Sequence, residues 1–203
     1  MARSTRYDDA IAQELDLLIA KSTPYSLSSP SFGNPTIHDF VKGLILSTNI
    51  IEVIDKYIPH GFYADWGQII DKKSGNALSN EDDIIIYKGP PGCKTVENKS
   101  MRFVLVDKDQ AKVVIQVRSG IDTVREEDKE YCQNLLKFVP EVWFFAECCW
   151  TKDRTKAKVI ERKLKQAGYE RFFYFYIMDE GRKFRHIDYP LFVKFIELIK
   201  KVR

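Results

Sequence analysis

Apolar positions along the chain switch between a helical and an extended period, and the switches outline the fold. Ile11, Leu15, Leu18 and Ile19 share one side of a helix predicted over residues 6–21, with Asp8, Asp9 and Glu14 toward its start, where the helix dipole favours acids. A Ser/Pro-rich connector follows from Ser22 to Pro35, either an extended arm or a flexible link. Thr36-Ile37-His38-Asp39 reads as a capping box, and Phe40, Val41, Leu44, Ile45, Ile51 and Ile54 carry an amphipathic helix to about Tyr57. Pro59-His60-Gly61 stops it.

The period then changes to that of strands. Phe62–Asp71 predicts a strand ended by a turn through Lys73–Asn76, and Asp83–Tyr87 a second, Ile-rich one. A Gly/Pro loop fills Lys88 to Lys99. The run Phe103–Val106 then turns at Asp107-Lys108-Asp109 into a strand over 111–118, which Gly120 breaks. Thr123 with Glu126 predicts the cap of a helix through Phe138, its apolar face carrying Tyr131, Leu135, Leu136 and Val139. Next come an apolar strand Val142–Trp150, a basic helix from about Lys152 to Ala167 ended at Gly168, and an aromatic strand Arg171–Met178. A charged loop leads to a final helix after Pro190, with Leu191, Phe195, Ile196 and Ile199 inward. The order predicts an α/β fold with a mixed central sheet flanked by helices: an N-terminal helix and arm in residues 1–35 and an α/β domain in 36–203. Short turns between the early strands and helices between the later ones predict both antiparallel and parallel pairings.

Two strands carry polar groups where burial would exclude them. Gln116 and Arg118 share one face of their strand, with Ile115 and Val117 on the other. If the 83–87 strand is the neighbour, Asp83 lies beside them, and an acid, an amide and a guanidinium converge at one sheet edge. Bulk composition adds little to this. With 32 Lys and Arg against 29 Asp and Glu in 203 residues, the net charge of +3 permits a local basic patch without demanding a nucleic-acid partner. Cys93, Cys132, Cys148 and Cys149 show no metal-ligand spacing and read as packed, reduced thiols of a cytoplasmic protein. No signal peptide and no apolar run near the ~20 residues of a membrane span is present, so no membrane role is expected.

Gly89-Pro90-Pro91-Gly92-Cys93-Lys94-Thr95 imitates a phosphate-binding P-loop, but it is one residue short, lacks Gly before Lys94, and has no convincing helix behind it. It reads as a surface hairpin loop.

The runs Gly67-Gln68-Ile69-Ile70-Asp71, then Gly75, Ser79, Glu81 and Asp83-Ile84-Ile85-Ile86-Tyr87, followed by Gln116-Val117-Arg118-Ser119, resemble the PD-(D/E)XK (restriction-endonuclease-like) nuclease superfamily. The resemblance is to a branch with a G-x-I-I-D…S-x-Q-x-D-I-x-I-Y…E-V-K-S pattern, and it implies an αβββαβ core from Thr36 to Cys149. By that resemblance Asp83 is the acid that holds Mg²⁺, Gln116 stands in place of the Glu ligand, Arg118 in place of the Lys, and Asp82 at the Pro position. The metal would stabilise charge on the scissile phosphate and help generate hydroxide. Gln116 offers a neutral oxygen, a weaker Mg²⁺ ligand than a carboxylate. Arg118 can clamp a phosphate but, with a pKa above ~12, cannot act as a base.

Glu147 interrupts an otherwise apolar strand; it either faces Arg118 as an ion pair, sits at an exposed edge, or serves as a relocated metal ligand. Lys152, Arg154, Lys156, Lys158, Arg162, Lys163 and Lys165 share one predicted helix, and Arg182, Lys183, Arg185 and His186 add charge in a later loop. Such a patch either tracks phosphates or is a solvated face. The expected function is a nuclease-like protein that acts on or binds DNA, with a degenerate Mg²⁺-dependent phosphodiesterase site of weak or absent catalysis. The alternatives are an active Mg²⁺-dependent DNA endonuclease with an Asp83/Gln116/Arg118 site, and a protein-interaction domain. Mg²⁺ is the expected cofactor if the site is active, with none otherwise. Superfamily members often pair to cut both strands, so the resemblance also raises a homodimer.

Overall fold

The β-branched run Ile84-Ile85-Ile86 belongs to a sheet buried on both sides, and each side has its own core. The computed structural model describes residues 4–26, 39–89, 95–98, 101–151, 154–178 and 184–203. Its elements are α1 (Ser4–Ser26), α2 (Asp39–Tyr57), β1 (Phe62–Asp71), β2 (Asn76–Ala77), β3 (Asp82–Lys88), β4 (Thr95–Asn98), β5 (Met101–Asp107), β6 (Ala111–Ile121), α3 (Glu126–Leu135), β7 (Glu141–Trp150), α4 (Arg154–Ala167), β8 (Arg171–Met178), β9 (Phe184–Ile187) and α5 (Tyr189–Ile199). The strands lie in the order β4-β5-β1-β3-β6-β7-β8-β9, with β2 against β1. β6, β7 and β8 run parallel, while β1, β3 and β6 alternate in direction, so the predicted α/β fold with a mixed sheet flanked by helices is what forms.

On one face Ile84, Ile86, Val113, Ile115, Phe145 and Phe175 pack under α1, α2 and α5; on the other Ile85, Val114, Val142, Phe144 and Phe172 pack under α3 and α4. Burial on both faces explains why β7 and β8 read as continuous apolar runs rather than alternating ones. Cys132, Cys148 and Cys149 are free buried thiols of these cores, and burial raises all three above the ordinary range, Cys132 and Cys149 to about 12. Cys93 lies outside the described residues. Among the described residues no helix is long and apolar enough to cross a membrane.

Several boundaries differ from the sequence reading, each for a physical reason. α1 continues to Ser26, past the predicted connector start at Ser22, because Ser22 is buried and its hydroxyl accepts from Asn49 Nδ2 at 3.1 Å on α2. The rest of that connector and Thr36–His38 of the capping box lie outside the described residues. β4 occupies part of the predicted Gly/Pro loop as a hairpin with β5, and β9 part of the predicted charged loop, against β8. Four residues are too few to show a period. Thr95–Asn98 being a strand also means that no helix N-terminus stands behind the P-loop-like segment, whose residues 90–94 lie outside the described set. β6 runs through Gly120 to Ile121; this glycine does not end the strand but makes room for the Trp150 indole nitrogen, which a Cβ would strike. α3 is capped at Arg125, not Thr123, since Asp128 accepts the Arg125 N–H at 2.9 Å, and Leu136 at the helix end is exposed rather than inward. In α5, Phe192 is buried, and Asp188 accepts the Leu191 N–H as the cap. A three-residue turn joins β5 to β6, yet β5 pairs with β1 and β6 with β3 and β7.

Candidate functional site

β3 and β6 are antiparallel neighbours, with Ile84 opposite Ile115. One residue further along that register sets Asp83 opposite Gln116, and Asp83 Oδ2 accepts the Val117 N–H at 2.8 Å. The opposite side of β3 is irregular: pairing with β1 passes from Asp65↔Ile85 to Gly67↔Asp82, so Asp83 and Ile84 together face the single residue Trp66. Such a bulge re-aims side chains. Asp83 and Trp66 both open onto a cleft of about 530 Å³, which Glu81, Ser47, Arg118 and Arg125 also line.

Asp128, buried in the first turn of α3, reorganises the rest of the site. Its Oδ1 accepts from Arg118 Nη2 at 2.6 Å and from Gln116 Nε2 at 3.2 Å, and its Oδ2 takes the Arg125 N–H. The Tyr169 O–H is shared between the Gln116 carbonyl oxygen and the Asp128 backbone carbonyl. Both ends of the Gln116 amide are thereby engaged. Arg118 keeps 28% of its side-chain surface exposed, so the part of its fork that Asp128 does not use faces the cleft.

Among the described residues no cation stands at hydrogen-bond distance from Asp82 or Asp83. Burial pushes Asp83 up to about 7; the Val117 N–H and Arg118 oppose this, and the charges of Asp82 and Glu81 add to it. Burial raises Asp82 to about 6 against the hydroxyls of Ser79 and Tyr131, which both hydrogen-bond to it, with Tyr131 at 2.9 Å.

The donors do not form a Mg²⁺ cage as arranged. Mg²⁺ needs hard oxygens. The Gln116 oxygen is held by Tyr169, both Asp128 oxygens are taken, and one Asp83 oxygen is on a backbone N–H. Among the described residues no three His, Cys, Asp or Glu side chains come together as metal ligands. The structure thus gives Gln116 partners other than those the resemblance implies. It also corrects the Arg118–Glu147 pair: Arg118 bonds Asp128, while Glu147, buried on β7, accepts from the Tyr176 hydroxyl at 3.0 Å and does not line the cleft.

Arg154, Lys156, Lys158 and Arg162 are exposed on α4, whose Ala157, Ile160 and Leu164 are buried, but none of the four lines the Asp83 cleft. Arg154 and Lys158 line a separate groove against α5, where Arg154 reaches His186 and approaches Asp188 at 3.7 Å. Lys165 pairs with Glu161. Lys152, Arg182 and Lys183 lie outside the described residues, as does the side chain of Arg185. Asp128, Tyr169, Trp66 and Arg125 are missing from the sequence reading. Of these, Asp128 alone had a signal, an acid three residues after a helix cap.

With helices on both faces of a mixed sheet and an acid at a strand start beside a second strand's polar pair, the architecture is that of a restriction-endonuclease-like fold. No family model and no curated protein matches the chain. Among solved structures it is similar to NucC. The cAAA-bound form of E. coli NucC is 10% identical at a TM-score of 0.61, covering 96% of this chain and 90% of that one. The cAAA-bound form of P. aeruginosa NucC is 9% identical at a TM-score of 0.63, covering 96% and 91%. The apo form of E. coli NucC is 11% identical at 0.51, covering 78% and 84%. At these identities the likeness concerns the fold.

Proposed function

We propose that the chain binds DNA through the cleft over Asp83, Arg118 and Arg125, and that its Mg²⁺-dependent phosphodiesterase site is degenerate, with weak or no cleavage. One observation carries this reading. Asp128 and Tyr169 hold Gln116 and Arg118 in a closed hydrogen-bond network, which leaves Arg118 free to offer only part of its fork to a phosphate. A group so held supplies charge and position, not a metal ligand or a base. The active-endonuclease reading retains one support: Asp83 and Glu81 both open on the cleft, a carboxylate pair that an incoming cation would neutralise.

Supercoiled plasmid with Mg²⁺ or Mn²⁺ tests both, with and without cAAA, the ligand bound in two of the similar NucC structures. The native protein is expected to bind DNA with strong salt dependence and leave it intact. The Gln116→Glu/Arg118→Lys double variant is expected to nick it. Cleavage by the native protein that Asp83→Ala abolishes would establish the active enzyme instead. Absence of any DNA binding would leave the protein-interaction reading.

A further inference from the structure

Trp66 has no place in the metal chemistry, yet its backbone setting aims it at the cleft. It is the single β1 residue opposite the Asp83-Ile84 bulge of β3, and it lines the cleft with Asp83, Arg118 and Arg125. Two neighbours fix it. Phe103 on β5 meets the indole edge-to-face, with ring centroids 4.8 Å apart and planes at 85°. Gly67, the next residue, lets β5 approach so closely that a Cβ would strike the Val104 carbonyl. The sequence pair Trp66-Gly67 therefore docks the strand that orients the indole.

A half-buried indole in a polar cleft lined by both carboxylates and arginines belongs to neither core cluster. A nucleobase offers a second flat π-face that can stack on the indole. Inside a duplex that face is covered by the adjacent base pairs. The volume of about 530 Å³ lies in the range of small-ligand pockets.

We propose that Trp66 is the stacking platform for one unpaired nucleobase in this cleft, with the adjoining phosphate held by Arg118 and Arg125. The cleft then selects single-stranded or locally unpaired DNA over intact duplex. This inference rests on the cleft being the nucleic-acid site.

Fluorescence anisotropy with a labelled single-stranded oligonucleotide and its duplex, in low salt without divalent metal, tests it. The native protein should prefer the single strand. Trp66→Ala should weaken single-strand binding about 5- to 150-fold, the range for losing one base–aromatic stack. Trp66→Phe should recover most of the affinity, which separates stacking from a general loss of structure. Arg125→Ala reports on phosphate binding independently. If Arg125→Ala weakens binding while Trp66→Ala does not, or if duplex binds as tightly as single strand, the stacking role is overturned and the DNA site stands. If the native protein binds neither form, both fall.

Discussion

At the scale of single residues, part of the site's charge lies off the two strands. Position 116, where the sequence resemblance implies a carboxylate, carries an amide. A carboxylate, Asp128, stands instead on α3, where the helix N-terminus favours it and Arg118 neutralises it. Asp128→Ala would strand Arg118, the Gln116 amide and the Arg125 N–H together. Breaking a buried pair costs ~3–5 kcal/mol, and the partial exposure of Arg118 lowers the expected loss to about 2–3 kcal/mol. Urea unfolding should show this as a reduced midpoint, and Asp128→Asn should lose less.

Asp83 makes an opposite prediction. Its folded pKa of about 7 lies above the ordinary carboxylate value, so between roughly pH 4 and 7 the native state holds more protons than the unfolded one. Stability therefore falls as pH rises through that window. Asp83→Asn removes the effect: it should be stabilising at pH 8, on the order of 2 kcal/mol, and nearly neutral at pH 4. Equal stability of the two proteins across that range, measured by thermal unfolding, would contradict a raised Asp83 carboxyl.

At the scale of elements, glycines separate strand contacts from helix propensity. Gly67 and Gly120 sit where strands or side chains approach too closely for a Cβ, whereas Gly43 on α2 has open space around it. Gly67→Ala and Gly120→Ala should each cost about 1–3 kcal/mol as overpacking, and Gly43→Ala should gain roughly 0.5–1 kcal/mol from helix propensity. Thermal melts of the three variants check the contrast in sign. Phe62–Asp71 and Arg171–Met178 fall at the predicted bounds: the second is an almost unbroken aromatic run, and the first opens on Phe62-Tyr63 and ends on Ile69-Ile70 between turn residues. The short strands β4 and β9 escaped because a backbone ladder to a neighbour defines them, not a pattern of their own. The helix carrying Arg154, Lys156, Lys158 and Arg162 was legible as basic. Its distance from the Asp83 cleft was not, since strand order decides which helix flanks which site.

At the scale of the whole molecule, the alternation of strands and helices along the chain, by itself, determined an α/β fold with a mixed sheet. Local periodicity suffices for this, because burial of one or both faces writes itself into consecutive residues. Tertiary structure alone decided that Asp83, Gln116 and Arg118 are neighbours and which partners they meet. It inserted β1 and β3 between β5 and β6 despite their three-residue turn, and it bulged β3 so that Asp83 and Trp66 share a cleft. It also brought Asp128 and Tyr169, 12 and 53 residues away from Gln116, to close its hydrogen bonds. Such partners leave no mark on the sequence near Gln116, since a hydrogen bond depends on where atoms meet in space and not on their separation along the chain.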